Sequence, residues 1–417
     1  MEQVEKHTGY RWLVLLAGCM AICSIYVDMI AYAPILGEVA GKLKIELGAA
    51  TNLMMGFVLS VACVLIWGGV VCDKFGITVA MVLGLLCSTV PTAIIPLIGG
   101  NFTAVMLARL VQGASVGFVF ATIGPILALW FPPKEHGMAS GLLIGSISLG
   151  CALGVFASPA ILAMTGGWEK TVFILGTPGW VAILLVMVIT RKSPPNLGIA
   201  QAQSPSAPPR DEMSFVGALA CPITWLGSLI VFCNAWAMYC LYNLVPPYLA
   251  ANPPMGLGLG AAMSGKLSIA VTVIGLFATI FGGIFFDKVA KGNSRVAAII
   301  GFLISACVIV ILLPMVSQSI GVLALCLLIS GWGIPFMGPS LSAFIAMNYP
   351  PSIVGRMIGW WFGFGTFGGA AGLYLGGMSI SKSGNFYLAI GMISIASIVG
   401  VLLSLFLKSS RKLPAAC

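Results

Sequence analysis

Two ionisable side chains, Asp28 and Arg109, stand well inside long apolar stretches of this 417-residue sequence. An ionisable group at a helix centre in lipid costs about 2.5–3.5 kcal/mol even on lenient insertion scales, so it persists where it is paired or lines a wet cavity. One acid and one base on separate stretches can do either of two things. They can form an ion pair that fixes helix packing, or they can form a contact that protonation opens. While Asp28 is ionised it engages Arg109, directly or through water. Once Asp28 is protonated, Arg109 is free to take an anion, most naturally a carboxylate, by a two-pronged hydrogen bond. Proton and anion would then cross together without net charge. Tyr32 lies one turn beyond Asp28 and is placed to hydrogen-bond it, and Tyr26 flanks the acid on its other side. Gln112 follows one turn after Arg109.

A second polar group interrupts a later apolar stretch: Asn234, Trp236, Tyr239, Tyr242 and Asn243. Trp236, Tyr239 and Asn243 are spaced i, i+3, i+7 and share a helix face. On a cavity wall they would offer hydrogen bonds and a flat surface to a small substrate. Alternatively they belong to an interfacial aromatic belt, as Tyr242 and Pro246-Pro247-Tyr248 approach the helix end. Trp332, Trp360 and Trp361 read as packing residues, and Lys266 as a snorkelling cation near the outer mouth. Other chemistry finds no support. The twelve cysteines are scattered through apolar stretches without metal spacing. His7 and His136 fall in a polar tail and a loop. There is no P-loop and no nucleophile–base constellation, so we expect no enzyme, no metal and no cofactor.

The elements that must position these groups are membrane helices. The chain is 59% hydrophobic and 7% charged, with a mean hydropathy of +1.08, beyond what a soluble core requires. Its net charge of +9 is dispersed over short loops and forms no basic face, which argues against nucleic acid. Glycine, proline and charged residues punctuate stretches of about 20 residues, the length that spans a bilayer. Helices are expected near 12–36, 49–72, 77–98, 102–130, 138–164 and 171–190, then near 216–248, 263–286, 296–316, 319–347, 357–380 and 385–407. Between the sets runs a polar segment rich in Pro, Ser and Gln. This gives a first bundle over 1–190, a linker over 191–215, a second bundle over 216–407 and a tail over 408–417. The polar start MEQVEKHTGYRW and the long first stretch indicate a retained helix rather than a signal peptide.

With the N-terminus inside, fourteen Lys and Arg fall on the inner side, against Lys42, Lys44, Lys170, Lys266 and Lys382 outside. That bias places both termini and the linker in the cytoplasm, with the cell inner (plasma) membrane as the site. At 1.5 Å per residue, Asp28 and Arg109 then reach similar depths. The halves also echo each other: GGVVCDKFG in the first is answered by GGIFFDKVAKG in the second, and Gly141 stays in step with Gly359. Parallel six-helix repeats with a site at their interface are a transporter signature.

Gly69-x₃-Asp73-Lys74-x-Gly76 and Arg109-x₂-Gln112-Gly113-x₃-Gly117, with Asp287-Lys288 repeating the first pattern, resemble motifs of the major facilitator superfamily. The resemblance covers essentially the whole chain. It implies two six-helix bundles rocking about a central cavity lined by helices 1, 4, 7 and 10. It also implies that Asp73 faces the N-terminus of helix 11, after Pro350-Pro351-Ser352, and holds the outward-facing state; a helix N-terminus attracts such an anion. Ile77 and Thr78 stand where the family carries basic residues. The start GYRW, the Gly167-Trp168 turn and the short Pro-rich linker are similar to bacterial organic-anion members. Proton-driven drug exporters carry a fifth-helix glycine motif. Here Gly141, Gly150 and Gly154 match its start, but Val155 and Ser158-Pro159 replace its end. The expected function is proton-coupled symport of a small organic anion such as a monocarboxylate, by a monomer. The alternative is a drug or metabolite exporter running on proton antiport.

Overall fold

The computed structural model describes residues 9–132, 135–190, 213–350 and 353–407. The segment 191–212, the tail 408–417, Pro351 and Ser352 lie outside the described residues, as does the side chain of Asp73. The described residues form long helices and no strand. In chain order the long helices are α1 (Tyr10–Ile30), α2 (Leu47–Cys72) and α3 (Lys74–Ile98). Then come α4 (Phe102–Phe120, resuming as Ile123–Trp130), α5 (His136–Thr165) and α6 (Trp168–Ile189). The second half holds α7 (Pro222–Ala250), α8 (Gly260–Lys288) and α9 (Ser294–Ala306, continued by a 3₁₀ turn over Cys307–Leu312). It ends with α10 (Ile320–Asn348), α11 (Val354–Ser383) and α12 (Tyr387–Ser404). Among the described residues, eleven helices are apolar and long enough to span by composition. The twelfth, α11, is diluted by a run of glycines between Gly355 and Gly377.

The breaks follow from backbone chemistry. Gly76 takes φ 84°, a conformation that disfavours a Cβ, and lets the chain leave α2 and enter α3 within a few residues. Lys291 (φ 50°) and Gly292 (φ 80°) make the corresponding turn after α8. The first helix is shorter than expected. It stops at Ile30, the chain turns through Ala31–Ile35, and a short helix runs over Leu36–Leu43. Pro34 is the reason: it has no N–H to give and crowds the residue before it out of helical space. Pro222 likewise separates a short N-terminal turn, Phe215–Ala220, from α7.

Two six-helix bundles with pseudo-two-fold symmetry result. α1 and α7 are the innermost helices: 72% of the most apolar stretch of each is buried, against 33–44% in the other spans. α1 packs on α5 and α6, and α7 packs in the same way on α11 and α12. Between bundles, α2 meets α11 and α5 meets α8. Small residues allow these approaches. A Cβ on Gly113 would stand 2.1 Å from the Phe57 carbonyl oxygen, and one on Gly117 2.7 Å from Val64, so this pair lets α4 lie directly on α2.

The bundles close on each other at the end away from Tyr10 and Ser404, here called the far end. A Cβ on Gly48 would stand 2.4 Å from the Gly377 carbonyl oxygen, and one on Gly265 2.6 Å from that of Val155. Residues 24–36 of the first helix and its turn are all buried, as are residues 239–249 of α7. Towards the other end, Leu13 and Leu16 of α1 and Trp225 and Leu229 of α7 are exposed. α1 and α7 are thus less covered at that end than at the far end.

Candidate functional site

Arg109 is fully buried, and its surroundings explain how a cation is tolerated there. α1 ends at Ile30, so the carbonyls of its last turn lack helical partners. The guanidinium of Arg109 supplies them. Nη1 donates to the Asp28 carbonyl at 3.1 Å and Nη2 to the Met29 carbonyl at 3.0 Å. Nε donates to the Leu53 carbonyl of α2 at 3.1 Å, and Nη1 also reaches Gln112 Oε1 at 3.0 Å. The group is sandwiched between the rings of Tyr32 and Phe57, 4.4 and 4.6 Å from their centroids, a favourable cation–π geometry. Arg109 thus caps the C-terminal end of α1, where the helix dipole favours positive charge.

The Asp28 carboxylate turns away from this cation. It is 1% exposed and points towards α3. Ser88 donates to Oδ2 at 2.5 Å. The Thr92 hydroxyl lies 3.5 Å from the same oxygen but 2.7 Å from the Ser88 carbonyl, and its single proton serves the nearer acceptor. Oδ1 is enclosed without a hydrogen-bond partner and faces Gly176 of α6, where a Cβ would stand 3.5 Å away. Gln112 Nε2 donates to Thr92 at 2.8 Å. A relay therefore runs from Arg109 through Gln112 to Thr92, whose proton goes to the Ser88 carbonyl, and the Ser88 hydroxyl in turn bonds Asp28.

This arrangement corrects the expected direct contact. Among the described residues the single ion pair is Arg11–Glu135, at 2.9 Å. Arg109 binds the backbone of Asp28 and not its carboxylate. A two-pronged anion on Arg109 is also excluded in this conformation, because the guanidinium is enclosed and at least four of its five N–H groups are engaged. Tyr32 does not bond Asp28. Its ring packs on Trp168 at 5.9 Å, and the Tyr32 hydroxyl and the Trp168 indole N–H are enclosed without partners. Gln112 is fully buried within the relay.

On α7, Asn243 is 1% exposed and its amide donates to the Tyr239 carbonyl, so it is consumed by its own helix. Trp236 lies against Gly372 of α11 and Tyr239 against Gly369. The aromatic-belt alternative fails for Tyr242, Pro246, Pro247 and Tyr248, all of which are buried. Trp332 packs on Phe281 and Trp361 on Phe344, as expected of packing residues. Lys74, Asp287 and Lys288 are exposed at helix ends, and Gly69 has no close neighbour at its Cβ position. Sequence reasoning missed Ser88 and Thr92. Their signal was present as two hydroxyls spaced i, i+4 in the apolar stretch CSTVPTAIIP, at the depth of the two charges.

Twelve long helices among the described residues, eleven of them apolar enough to span, in two matched bundles with one acid and one base in the interior, define a multi-pass membrane transporter. The family model described as Major Facilitator Superfamily matches residues 14–327 and 227–416, and the chain belongs to that superfamily. It is similar to a probable anion transporter 5 of Arabidopsis thaliana, 24% identical over 89% of this chain and 88% of the relative. It is also similar to a probable sulfoacetate transporter of Cupriavidus necator, 26% identical over 97% of this chain and 95% of that one. Among solved structures, a bacterial homologue of the human lysosomal transporter Spinster, inward-facing and unoccupied, shares the fold. Its TM-score is 0.72 at 18% identity, covering 96% of this chain and 95% of the other.

Proposed function

We propose that this protein is a proton-coupled symporter of a small organic anion, with Asp28 as the proton-binding switch and Arg109 as the fixed charge beside it. The observation that carries the reading is the half-satisfied carboxylate. An ionised carboxylate offers about four acceptor sites, yet Asp28 has one close donor and an enclosed oxygen with none. Such a group has a place for a proton. When Asp28 is ionised, the acid and Arg109 together carry no net charge. When it is protonated, the buried arginine charge is uncompensated and attracts an anion in the space between the bundles. Across about one helix diameter, roughly 10 Å, at an effective dielectric near 20, that attraction is about 1.7 kcal/mol, somewhat more than tenfold in affinity. The names of the relatives in Arabidopsis and Cupriavidus support an anionic cargo.

Alternating access would move the bundles 1–190 and 216–407 about the linker 191–215, with the tail 408–417 following. The Lys and Arg distribution supports cytoplasmic termini in a bacterial-type inner (plasma) membrane. With that orientation, the exposed ends of α1 and α7 support an inward-facing arrangement. The loop motif Gly69, Asp73, Lys74, Gly76, with its echo Asp287–Lys288, is proposed to set the balance between inward and outward states. One chain supplies both walls of the pathway, which supports a monomer as the working unit. Asp28→Asn tests the assignment in proteoliposomes. It should abolish uphill accumulation of the anion driven by a pH gradient while leaving anion exchange measurable. Intact accumulation in that variant would remove Asp28 from the coupling.

A further inference from the structure

Four hydroxyls converge between the bundles. Tyr26 of α1, Tyr239 and Tyr242 of α7 are 6%, 4% and 8% exposed. Tyr26 packs on α5, its Cβ 3.0 Å from the Cβ position of Gly150, two residues beyond Ser148. The Tyr242 and Ser148 hydroxyls lie 3.3 and 3.5 Å from the Cβ position of Gly275 on α8, which joins α5 of one bundle to α7 and α8 of the other at this point. None of the four hydroxyls has a hydrogen-bond partner among the described residues, and none is fully enclosed, in contrast to Tyr32. Buried hydroxyls are normally bonded to protein or to ordered water, so four that no protein group engages are available as donors to a ligand that replaces water there.

Among the described residues the buried charged side chains are Asp28 and Arg109, and neither is bonded to these hydroxyls. Arg109 is enclosed behind Tyr32 and Phe57, and Asp28 points to α3. Of the other described cations, Arg11 is half-buried near the start of α1 and paired with Glu135, and the rest are exposed.

We infer that Tyr26, Tyr239, Tyr242 and Ser148 form the substrate site, and that it selects singly charged anions over doubly charged ones. This rests on the reading of the protein as an organic-anion transporter. Neutral O–H donors bond an oxyanion well but do not cancel its charge. The cost of moving an ion out of water rises with the square of its charge, so a second charge makes it about fourfold larger. The buried interior offsets one negative charge: Arg109 beside a protonated Asp28 leaves a single buried positive charge among the described residues.

The test is thermal stabilisation of the purified full-length protein at neutral pH and fixed ionic strength. Acetate, lactate and pyruvate are titrated against malonate, sulfoacetate and inorganic phosphate. The wild type is compared with Tyr26→Phe, Tyr239→Phe and Tyr242→Phe. A monocarboxylate should stabilise the wild type, with malonate and sulfoacetate weaker by about tenfold or more. Each Phe variant should bind the monocarboxylate about tenfold more weakly, the loss of one hydrogen bond to a charged group. Its melting temperature without ligand should be unchanged, because the hydroxyls hold nothing in the protein. Equal or tighter binding of the dianions overturns the selectivity and leaves the anion-transport reading standing. Undiminished binding by the Phe variants, or melting temperatures that fall without ligand, overturns the site. If none of the anions stabilises the wild type, both this site and the anion-transport reading are wrong.

Discussion

At the scale of single residues, Asp28 and Arg109 illustrate what a sequence discloses and what it withholds. Their presence in apolar stretches was legible, and so was the conclusion that lipid does not leave such groups idle. Their geometry was not legible, because it depends on where α1 ends. Pro34 frees the carbonyls of Asp28 and Met29, and Arg109 is drawn to those instead of the carboxylate. Removing the cation should therefore act first on stability. Arg109→Ala strands three carbonyls and Gln112 and is expected to cost about 3–5 kcal/mol, as for a broken buried charge. Arg109→Lys should recover little of it, since a single ammonium lacks the planar fork that reaches α1 and α2 together. Thermal unfolding of the purified variants measures both, and near-wild-type stability of Arg109→Lys would refute the capping role. Thr92→Val conserves shape but cuts the relay, leaving the Gln112 amide without its acceptor at a cost of about 1–3 kcal/mol. Uphill accumulation should fall further than anion exchange in this variant, as paired flux assays would show.

At the scale of elements, the repeat of six, the DK loops and the spans of most helices were readable from periodicity and punctuation. The helix contacts were not, since a glycine's value lies in the partner across from it. Gly113 and Gly117 belong to a recognisable motif, but only packing shows that they seat α4 on the α2 backbone. Tyr242 shows the same limit. Its place near the end of α7 suggested a membrane interface, yet it is buried against Gly275 of its own bundle, at the point where Ser148 of the other bundle arrives. The α2–α11 crossing is a structural hinge point of this kind. Gly48→Ala puts a Cβ 2.4 Å from the Gly377 carbonyl oxygen, closer than atoms approach, so the far ends must separate. Spin labels at positions 42 and 382 should report a longer distance across the far end in this variant than in the wild type. An unchanged distance distribution would mean that the crossing does not hold the far end shut.

At the scale of the whole molecule, the fold is that of a major facilitator superfamily transporter, and the buried acid is the proposed coupling site. Net charge and the Lys and Arg distribution speak to orientation, while the cargo, on the proposed site, is set between α1, α5, α7 and α8. Fold alone never names a cargo, and the hydroxyls facing that space became visible only with the bundles assembled. The central claim is that Asp28 carries a proton with the anion. The most direct test is proton movement into proteoliposomes holding a pH-sensitive dye when a small monocarboxylate is added outside. The lumen should acidify with the wild type and remain unchanged with Asp28→Asn. Alkalinisation would contradict symport and favour exchange against protons, and acidification that persists in Asp28→Asn would place the coupling proton elsewhere.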